Sequence, residues 1–127
     1  MCGATGTSLR ILVVDDNTDT ALSLSMLLEC FGYETRTAHD GAAALAAAEA
    51  FRPDAVVLDL GLPDLDGFEV AQRLRALPAC ERAFLVAATG YSRDQDRRRA
   101  AEVGFDLYLV KPFDVEQLDR ALAAVPA

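Results

Sequence analysis

Cysteine is scarce in this chain, and its spacing excludes two kinds of covalent framework. The three cysteines, Cys2, Cys30 and Cys80, are odd in number and far apart, which suits neither a disulfide framework nor the closely spaced pairs of a zinc site. No apolar run approaches the roughly 18–20 residues that a membrane-spanning helix needs. Residues 1–8 lack the basic and apolar segments of a signal peptide. We therefore expect a cytoplasmic protein without direct membrane insertion.

Positive charge is also in short supply. Twelve lysine and arginine residues stand against twenty acidic ones, which gives a net charge of −8, whereas a nucleic-acid clamp needs a concentrated basic surface. Hydrophobic residues make up 52% of the 127 residues, and that is enough for one packed domain. We expect this domain at residues 9–125, after a flexible lead at residues 1–8, and we expect no binding to nucleic acid.

Short apolar runs alternate along the chain with segments of helical periodicity. The apolar runs predict strands at residues 9–14, 55–58, 84–88 and 106–110, and residues 34–38 are predicted to form a further short strand. The periodic segments predict a helix from the cap Asn17 or Thr18 to Phe31, one from the cap Asp40 to Phe51, helices at residues 67–77 and 93–103, and a last helix after Asp114. Five such repeats with short connections are typical of an α/β fold, a parallel, doubly wound sheet with helices on both faces.

Two helices carry more detailed signals. In the first helix, four apolar residues fall at positions i, i+3, i+4 and i+7, which predicts that they share the buried face: Leu24, Leu27, Leu28 and Phe31. In the last helix, Asp114 and the residue three positions later, Gln117, resemble a capping box.

Polar side chains follow four of the five predicted strands. Asp15 and Asp16 come after the first strand, Asp59 after the third, Thr89 after the fourth and Lys111, the only lysine, after the fifth. Ligands of doubly wound sheets bind outside the carboxyl ends of the strands, where the strand order reverses. We therefore expect these five side chains to converge at one edge of the sheet.

This combination of groups favours phosphoryl chemistry. Three neighbouring carboxylates repel one another unless a cation lies between them. Oxygen ligands without histidine or cysteine favour a hard ion, and few carboxylates with room for water suit Mg²⁺ better than Ca²⁺. A metal, an ammonium and a hydroxyl beside a free carboxylate would bind a phosphoryl group, with the carboxylate as nucleophile and an acyl phosphate as product.

Four stretches of the chain resemble the receiver domain of bacterial two-component response regulators: ILVVDDN at residues 11–17, VVLDLGLPDLDGFEV at 56–70, VAATG at 86–90 and LYLVKPF at 107–113. The resemblance covers residues 9–125. It implies a flavodoxin-like, three-layer (βα)5 sandwich with five parallel strands in the order 2-1-3-4-5. It also implies that a phosphoryl group passes from a phosphohistidine to an aspartate.

The resemblance assigns the site residues one by one. It implies that Asp59 is the phosphoacceptor, that Lys111 contacts the phosphoryl group, and that the Lys111–Pro112 bond is cis. Asp15, Asp16, Asp59 and the backbone carbonyl of Gly61 are then the ligands of Mg²⁺, for which Mn²⁺ can substitute.

The same resemblance implies a two-state switch. Thr89 follows the phosphoryl group, Tyr108 turns inward, and the surface of helix 4, strand 5 and helix 5 changes for a downstream protein partner. The phosphodonor is a sensor histidine kinase or a histidine phosphotransfer protein, a homodimer is compatible with the family, and the domain is a switch, not an enzyme. No output domain follows in this sequence, so we expect either a single-domain regulator or the receiver of a hybrid kinase.

Other positions carry narrower expectations. Gly61 offers no side chain to orient water and Tyr91 screens the site entrance, so we expect a long-lived phosphorylated state. His39 is interpreted as a surface or cap neighbour. The arginine-rich helix at residues 93–103 is interpreted as a solvated face or as a docking surface.

Three rival functions remain open from the residues. An aspartyl-phosphate phosphohydrolase would need an aspartate where Gly61 stands. A flavin carrier would need a phosphate loop where Asp15 and Asp16 stand. A receiver-like domain that is never phosphorylated is the third rival.

Overall fold

The computed structural model describes residues 9–60, 66–90, 94–111 and 113–125. Strands and helices alternate in the order that the periodicity predicts. The strands are β1 (Arg10–Val14), β2 (Glu34–Ala38), β3 (Ala55–Asp59), β4 (Phe84–Thr89) and β5 (Leu107–Val110). The helices are α1 (Thr18–Cys30), α2 (Gly41–Phe51), α3 (Gly67–Ala76), α4 (Asp94–Val103) and α5 (Val115–Ala123).

The five strands form one sheet in the order β2-β1-β3-β4-β5, and every neighbouring pair is parallel. This is the predicted order, and the predicted flavodoxin-like fold is confirmed. The order reverses at β1, so the next strand along the chain, β2, and the strand after it, β3, lie on opposite sides of β1. The carboxyl ends of β1 and β3 are therefore adjacent, which places the polar residues that follow them next to each other.

Alternation along the strands divides the core into two layers, because successive strand side chains point to opposite faces of the sheet. In β1, Ile11 and Val13 pack with the buried residues of α1 and α5, whereas Leu12 and Val14 pack with those of α2 and α3. All four side chains are almost fully buried. The helices thus cover both faces of the sheet, as three layers require.

The predicted inner face of α1 was partly wrong. Leu28 is fully buried, but Leu27 is 47% exposed, and the polar Ser25 is buried instead. An α-helix turns by about 100° per residue, so Leu27 and Leu28 cannot both face the centre of one interface. Ser25 is tolerated inside because its hydroxyl pairs with the hydroxyl of Thr35 on β2.

Four of the described helices, α1, α2, α3 and α5, begin at a residue whose side chain caps them. The carboxylate of Asp114 accepts the N–H of Glu116 at the start of α5, so Asp114 is a cap as predicted, but the bond does not go to Gln117. A 3₁₀ turn at Pro78–Cys80, which the sequence analysis did not predict, follows α3.

None of the described helices has the length and apolarity that crossing a bilayer requires.

Candidate functional site

Three carboxylates meet at the carboxyl ends of β1 and β3. Asp15 and Asp16 directly follow β1, and Asp59 is the last residue of β3. One oxygen atom of each lies within 4.8 Å of an oxygen of each of the others. Asp15 is buried, Asp59 is half-buried and Asp16 is exposed. The predicted convergence of the three residues is thus present.

Lys111, which follows β5 at the same edge of the sheet, completes the cluster. Its ammonium donates to a carboxylate oxygen of Asp15 at 2.8 Å and lies 3.6 Å from an oxygen of Asp59. Its backbone N–H donates to the carbonyl of Thr89 at 2.7 Å, and this bond fixes the backbone of Lys111 to the end of β4. One lysine therefore contacts two of the three carboxylates and neutralises only part of their negative charge.

Every polar group of Asp15 is engaged. The backbone N–H donates to the carbonyl of Ala38 at 3.0 Å, and the backbone carbonyl lies 3.2 Å from Nδ1 of His39. One carboxylate oxygen accepts the N–H of Asn17 at 3.0 Å, and the other accepts Lys111. The Asp15 carboxylate is therefore held in one orientation before any ligand arrives.

The ion pair decides the charge states of its two partners. Burial alone would raise the pKa of Asp15, but the hydrogen bonds from Lys111 and Asn17 and the charge of Lys111 outweigh it, so this pKa lies below its ordinary value. Burial alone would lower the pKa of Lys111, but Asp15 and Asp59 outweigh it and raise that pKa. Both groups are consequently charged at neutral pH.

The donor set fits a hard divalent cation. It consists of carboxylate oxygens alone, they are close together, and Asp16 faces solvent, where an ion could keep part of its water shell. The predicted carbonyl ligand of Gly61 lies outside the described residues. The predicted cis bond to Pro112 and the expected effect of Tyr91 on the phosphorylated lifetime also lie outside them, and all three stay predictions.

Sequence reasoning missed the contact of His39 with this site. His39 does precede the α2 cap Asp40, as expected, but its ring also approaches the carbonyl of Asp15. The position of His39 at the end of β2, beside β1, could have indicated the contact once the strand order was assumed.

The two predicted switch residues lie on neighbouring strands. Thr89 is buried at the end of β4, and Tyr108 is half-buried on β5, where it pairs with Ala87, two residues before Thr89. The guanidinium of Arg97 on α4 lies 4.8 Å from the centre of the Tyr108 ring.

A groove leads from the surface to the carboxylates. It is a cavity of about 760 Å³ between α1 and the start of α5. Leu24 and Leu27 line it from α1, Phe113 lines it from the other side, and Asp59 and Lys111 are also part of its lining. Asp59 and Lys111 therefore border a groove whose lining is mainly apolar.

Comparison with known proteins places these features in one family. The family model "Response regulator receiver domain" matches residues 11–123. The transcriptional regulatory protein PrrA of Mycobacterium tuberculosis is 45% identical over 123 residues, which cover 94% of this chain and 50% of PrrA. The chain thus spans about half the length of that curated relative.

Two solved structures share the fold and the family. The chemotaxis protein CheY4 of Vibrio cholerae superposes with a TM-score of 0.88 at 31% identity, covering 94% of this chain and 100% of CheY4. The receiver domain of the sensor histidine kinase PA1611 of Pseudomonas aeruginosa gives a TM-score of 0.83 at 32% identity, covering 94% and 98%. The PA1611 structure has a magnesium ion coordinated in its active-site cleft.

Proposed function

Since the chain belongs to the response regulator receiver domain family of phosphorylation-dependent switches, we propose that Asp59 accepts a phosphoryl group from a phosphohistidine. The donor is a sensor histidine kinase or a histidine phosphotransfer protein. The single observation that carries this proposal is the cluster at the sheet edge, where Asp59 lies beside two further carboxylates and 3.6 Å from the ammonium of Lys111.

The transfer is a nucleophilic displacement at phosphorus. A carboxylate oxygen of Asp59 attacks the phosphorus atom, a P–O bond forms and the P–N bond to the donor imidazole breaks. The imidazole nitrogen keeps the electron pair and takes up a proton from solvent. Lys111 is positioned to bind an oxygen of the incoming group, because it already spans Asp15 and Asp59.

Asp15 and Asp16, with Asp59, would hold Mg²⁺, and Mn²⁺ is expected to substitute for it. When bound, the ion neutralises the negative charge that would otherwise build up between the carboxylates and the phosphoryl oxygens. The carboxylate of Asp15 is already oriented for metal binding, because the N–H of Asn17 and the ammonium of Lys111 donate to it. Asp59 would bind the ion through one carboxylate oxygen and attack phosphorus with the other, and it is part of the lining of the groove.

The groove between α1 and α5 is the approach route of the donor. Most of its lining is apolar, and Asp59 is part of that lining. Next to it, α1 exposes Leu22 and Met26, which are 53% and 58% exposed. Large apolar side chains on the surface beside a reactive group are typical of a protein interface. The donor's helical surface would cover them while its imidazole reaches Asp59.

The response of the domain is carried by Thr89, Lys111 and Tyr108. A phosphoryl group adds about −1.5 to −2 charges and strong acceptor oxygens, and the hydroxyl of Thr89 would move toward them. Tyr108 would then turn toward the space that Thr89 leaves, and the surface of α4, β5 and α5 would change for a downstream protein. The domain acts in this proposal as a switch and not as a turnover enzyme.

Two further expectations extend the proposal. The thiols of Cys30 and Cys80 are free, which supports a reducing, cytoplasmic setting. A homodimer is compatible with the proposal and is checked by the molar mass in solution before and after phosphorylation.

Incubation with acetyl phosphate and Mg²⁺, read by intact mass, tests the proposal. We expect the wild type to gain one phosphoryl group and Asp59→Asn to gain none. Asp40→Asn is the matched control, because asparagine caps a helix as well as aspartate does, and it should be phosphorylated like the wild type. A wild type that gains no mass, or an Asp59→Asn variant that gains as much as the wild type, would contradict the proposal.

A further inference from the structure

Helix α4 buries few apolar side chains among its described residues, and charged side chains also connect it to its neighbours. Its buried apolar residue is Ala100, with Val103 partly buried at its end. Between the ends stand three consecutive arginines, Arg97, Arg98 and Arg99, and all three are exposed. Because each residue turns the helix by about 100°, the outer two point roughly 200° apart and reach opposite neighbours.

Arg97 reaches β5. Its guanidinium lies 4.8 Å from the centre of the Tyr108 ring, within the range of a cation–π contact. The ring that is proposed to turn inward during switching is thus covered by an arginine of α4. Inward rotation of Tyr108 must separate the two groups.

Arg99 reaches α3. Its guanidinium forms an ion pair with the carboxylate of Asp66 at 3.2 Å and lies 4.3 Å from the centre of the Phe68 ring. Asp66 is also the cap of α3, because its carboxylate accepts the N–H of Phe68 at 3.0 Å. A single side chain therefore ties α4 to the first turn of α3.

That first turn lies against the backbone that leaves the phosphoacceptor strand. A Cβ atom built on Gly67 would come within 2.6 Å of the Cα atom of Leu60, the residue after Asp59. The contacts thus run without a gap from Asp59 through Leu60 and Gly67 to Asp66 and Arg99.

We propose that Arg97 and Arg99 are positioning residues that hold α4 in its unphosphorylated arrangement, and that switching breaks both contacts. The inference rests on the proposed function of Asp59. An exposed cation–π contact favours the unphosphorylated arrangement by a factor of about two to five. An exposed ion pair contributes a factor of at most about five. Such weak contacts suit a switch, because a phosphoryl group can overcome them.

Equilibrium titration with beryllofluoride in the presence of Mg²⁺ tests the inference, since this complex stands in for the phosphoryl group. Removing a contact that opposes the active arrangement should tighten binding. We expect Arg97→Gln and Arg99→Gln each to bind beryllofluoride roughly two- to five-fold more tightly than the wild type, and the double variant roughly tenfold more tightly.

Arg98→Gln is the matched control. It removes the same charge from the same helix, between the two proposed positions, so it reports the general electrostatic effect of losing an arginine. Its affinity for beryllofluoride should stay within about twofold of the wild type. Equal affinities for all three single variants, or weaker binding by Arg97→Gln and Arg99→Gln than by Arg98→Gln, would overturn the inference.

Asp66→Asn separates the ion pair from the helix cap. Asparagine still caps α3 but does not form the ion pair with Arg99, so this variant should tighten binding, by less than Arg99→Gln, which also loses the contact with Phe68. Adding Asp66→Asn to Arg99→Gln should change the affinity no further. A merely structural role would instead lower the free energy of unfolding in urea and leave the affinity for beryllofluoride unchanged.

Failure of the inference is distinguishable from failure of the proposed function. If the wild type binds beryllofluoride and the arginine variants match Arg98→Gln, the inference is wrong and the role of Asp59 is unaffected. If the wild type does not bind it with Mg²⁺ present, both are wrong.

Discussion

Individual polar side chains inside this domain are paired. Among the described residues, no buried side-chain nitrogen or oxygen lacks a hydrogen-bond partner. Tyr33 is a clear case: only 4% of its surface is exposed, and its hydroxyl donates to Asp119 on α5 at 2.6 Å. Burial, followed by the hydrogen bond and the charge of Asp119, raises the pKa of Tyr33 well above its ordinary value.

The shift of Tyr33 predicts a loss of stability in alkali. The folded protein keeps the phenolic proton to higher pH than the unfolded chain, so this contribution is complete below a pKa of about 10 and is lost as pH rises above it. We expect Tyr33→Phe to be less stable than the wild type by about 1–2 kcal/mol near pH 8. The difference should shrink by about 1.4 kcal/mol per pH unit above pH 10. Urea unfolding of both proteins across this range measures it, and a constant difference would contradict the assigned cause.

Single helices show how much of the structure a local sequence pattern predicts. The apolar spacing of α1 correctly predicted a helix with Leu28 inside, yet it also placed Leu27 inside, where the structure exposes it. Periodicity locates an apolar stripe but not its centre, which depends on how the helix docks on β1 and β2. The start of α3 is another such contact, because its first residue, Gly67, touches the backbone of Leu60.

Gly67→Ala should destabilise the domain for a steric reason. The added methyl group would meet the Leu60 backbone at 2.6 Å, and a backbone cannot yield as a flexible side chain does. We expect a loss of about 1–3 kcal/mol in the free energy of unfolding. Gly90→Ala is the control, because a Cβ there has nothing within 4 Å, and it should stay within about 0.5 kcal/mol of the wild type. Similar losses for both variants would mean that close approach is not the cause.

The whole molecule is tied together at the edge where its chemistry is expected. Lys111 follows β5, yet its ammonium reaches Asp15 after β1 and Asp59 on β3. Asp15 and Asp59 are 96 and 52 positions before Lys111 in the sequence, so only the folding of the sheet brings the three side chains together. In this arrangement the lysine partly neutralises the carboxylates that are expected to bind a cation.

Lys111→Gln should therefore separate metal binding from phosphoryl transfer. Without the ammonium, the carboxylates repel each other more strongly, and we expect Mg²⁺ to bind more tightly, on the order of tenfold. Phosphorylation by acetyl phosphate should slow by roughly 10²-fold, because a donor to the phosphoryl oxygens is gone. Arg82→Gln, which removes a cation near the start of β4, should change neither. Weaker Mg²⁺ binding in Lys111→Gln would contradict this account of the ion pair.

Short-range information determined much of this protein from its sequence alone. Apolar runs predicted four of the five described strands, β2 was predicted as a short strand between two helical segments, and periodicity predicted the five helices, because each pattern is set by neighbours along the chain. The acidic residues after the first and third strands, the lysine after the fifth and the four characteristic stretches were enough to indicate the family.

Only the tertiary structure decided the contacts between elements. It alone showed that Lys111 contacts two carboxylates and that His39 approaches Asp15. It also showed that Arg97 contacts β5 and that Arg99 contacts α3, on opposite sides of α4. Such contacts depend on the angles and distances at which helices and strands dock. Those are set by the packing of the entire core, and no local stretch of sequence encodes them.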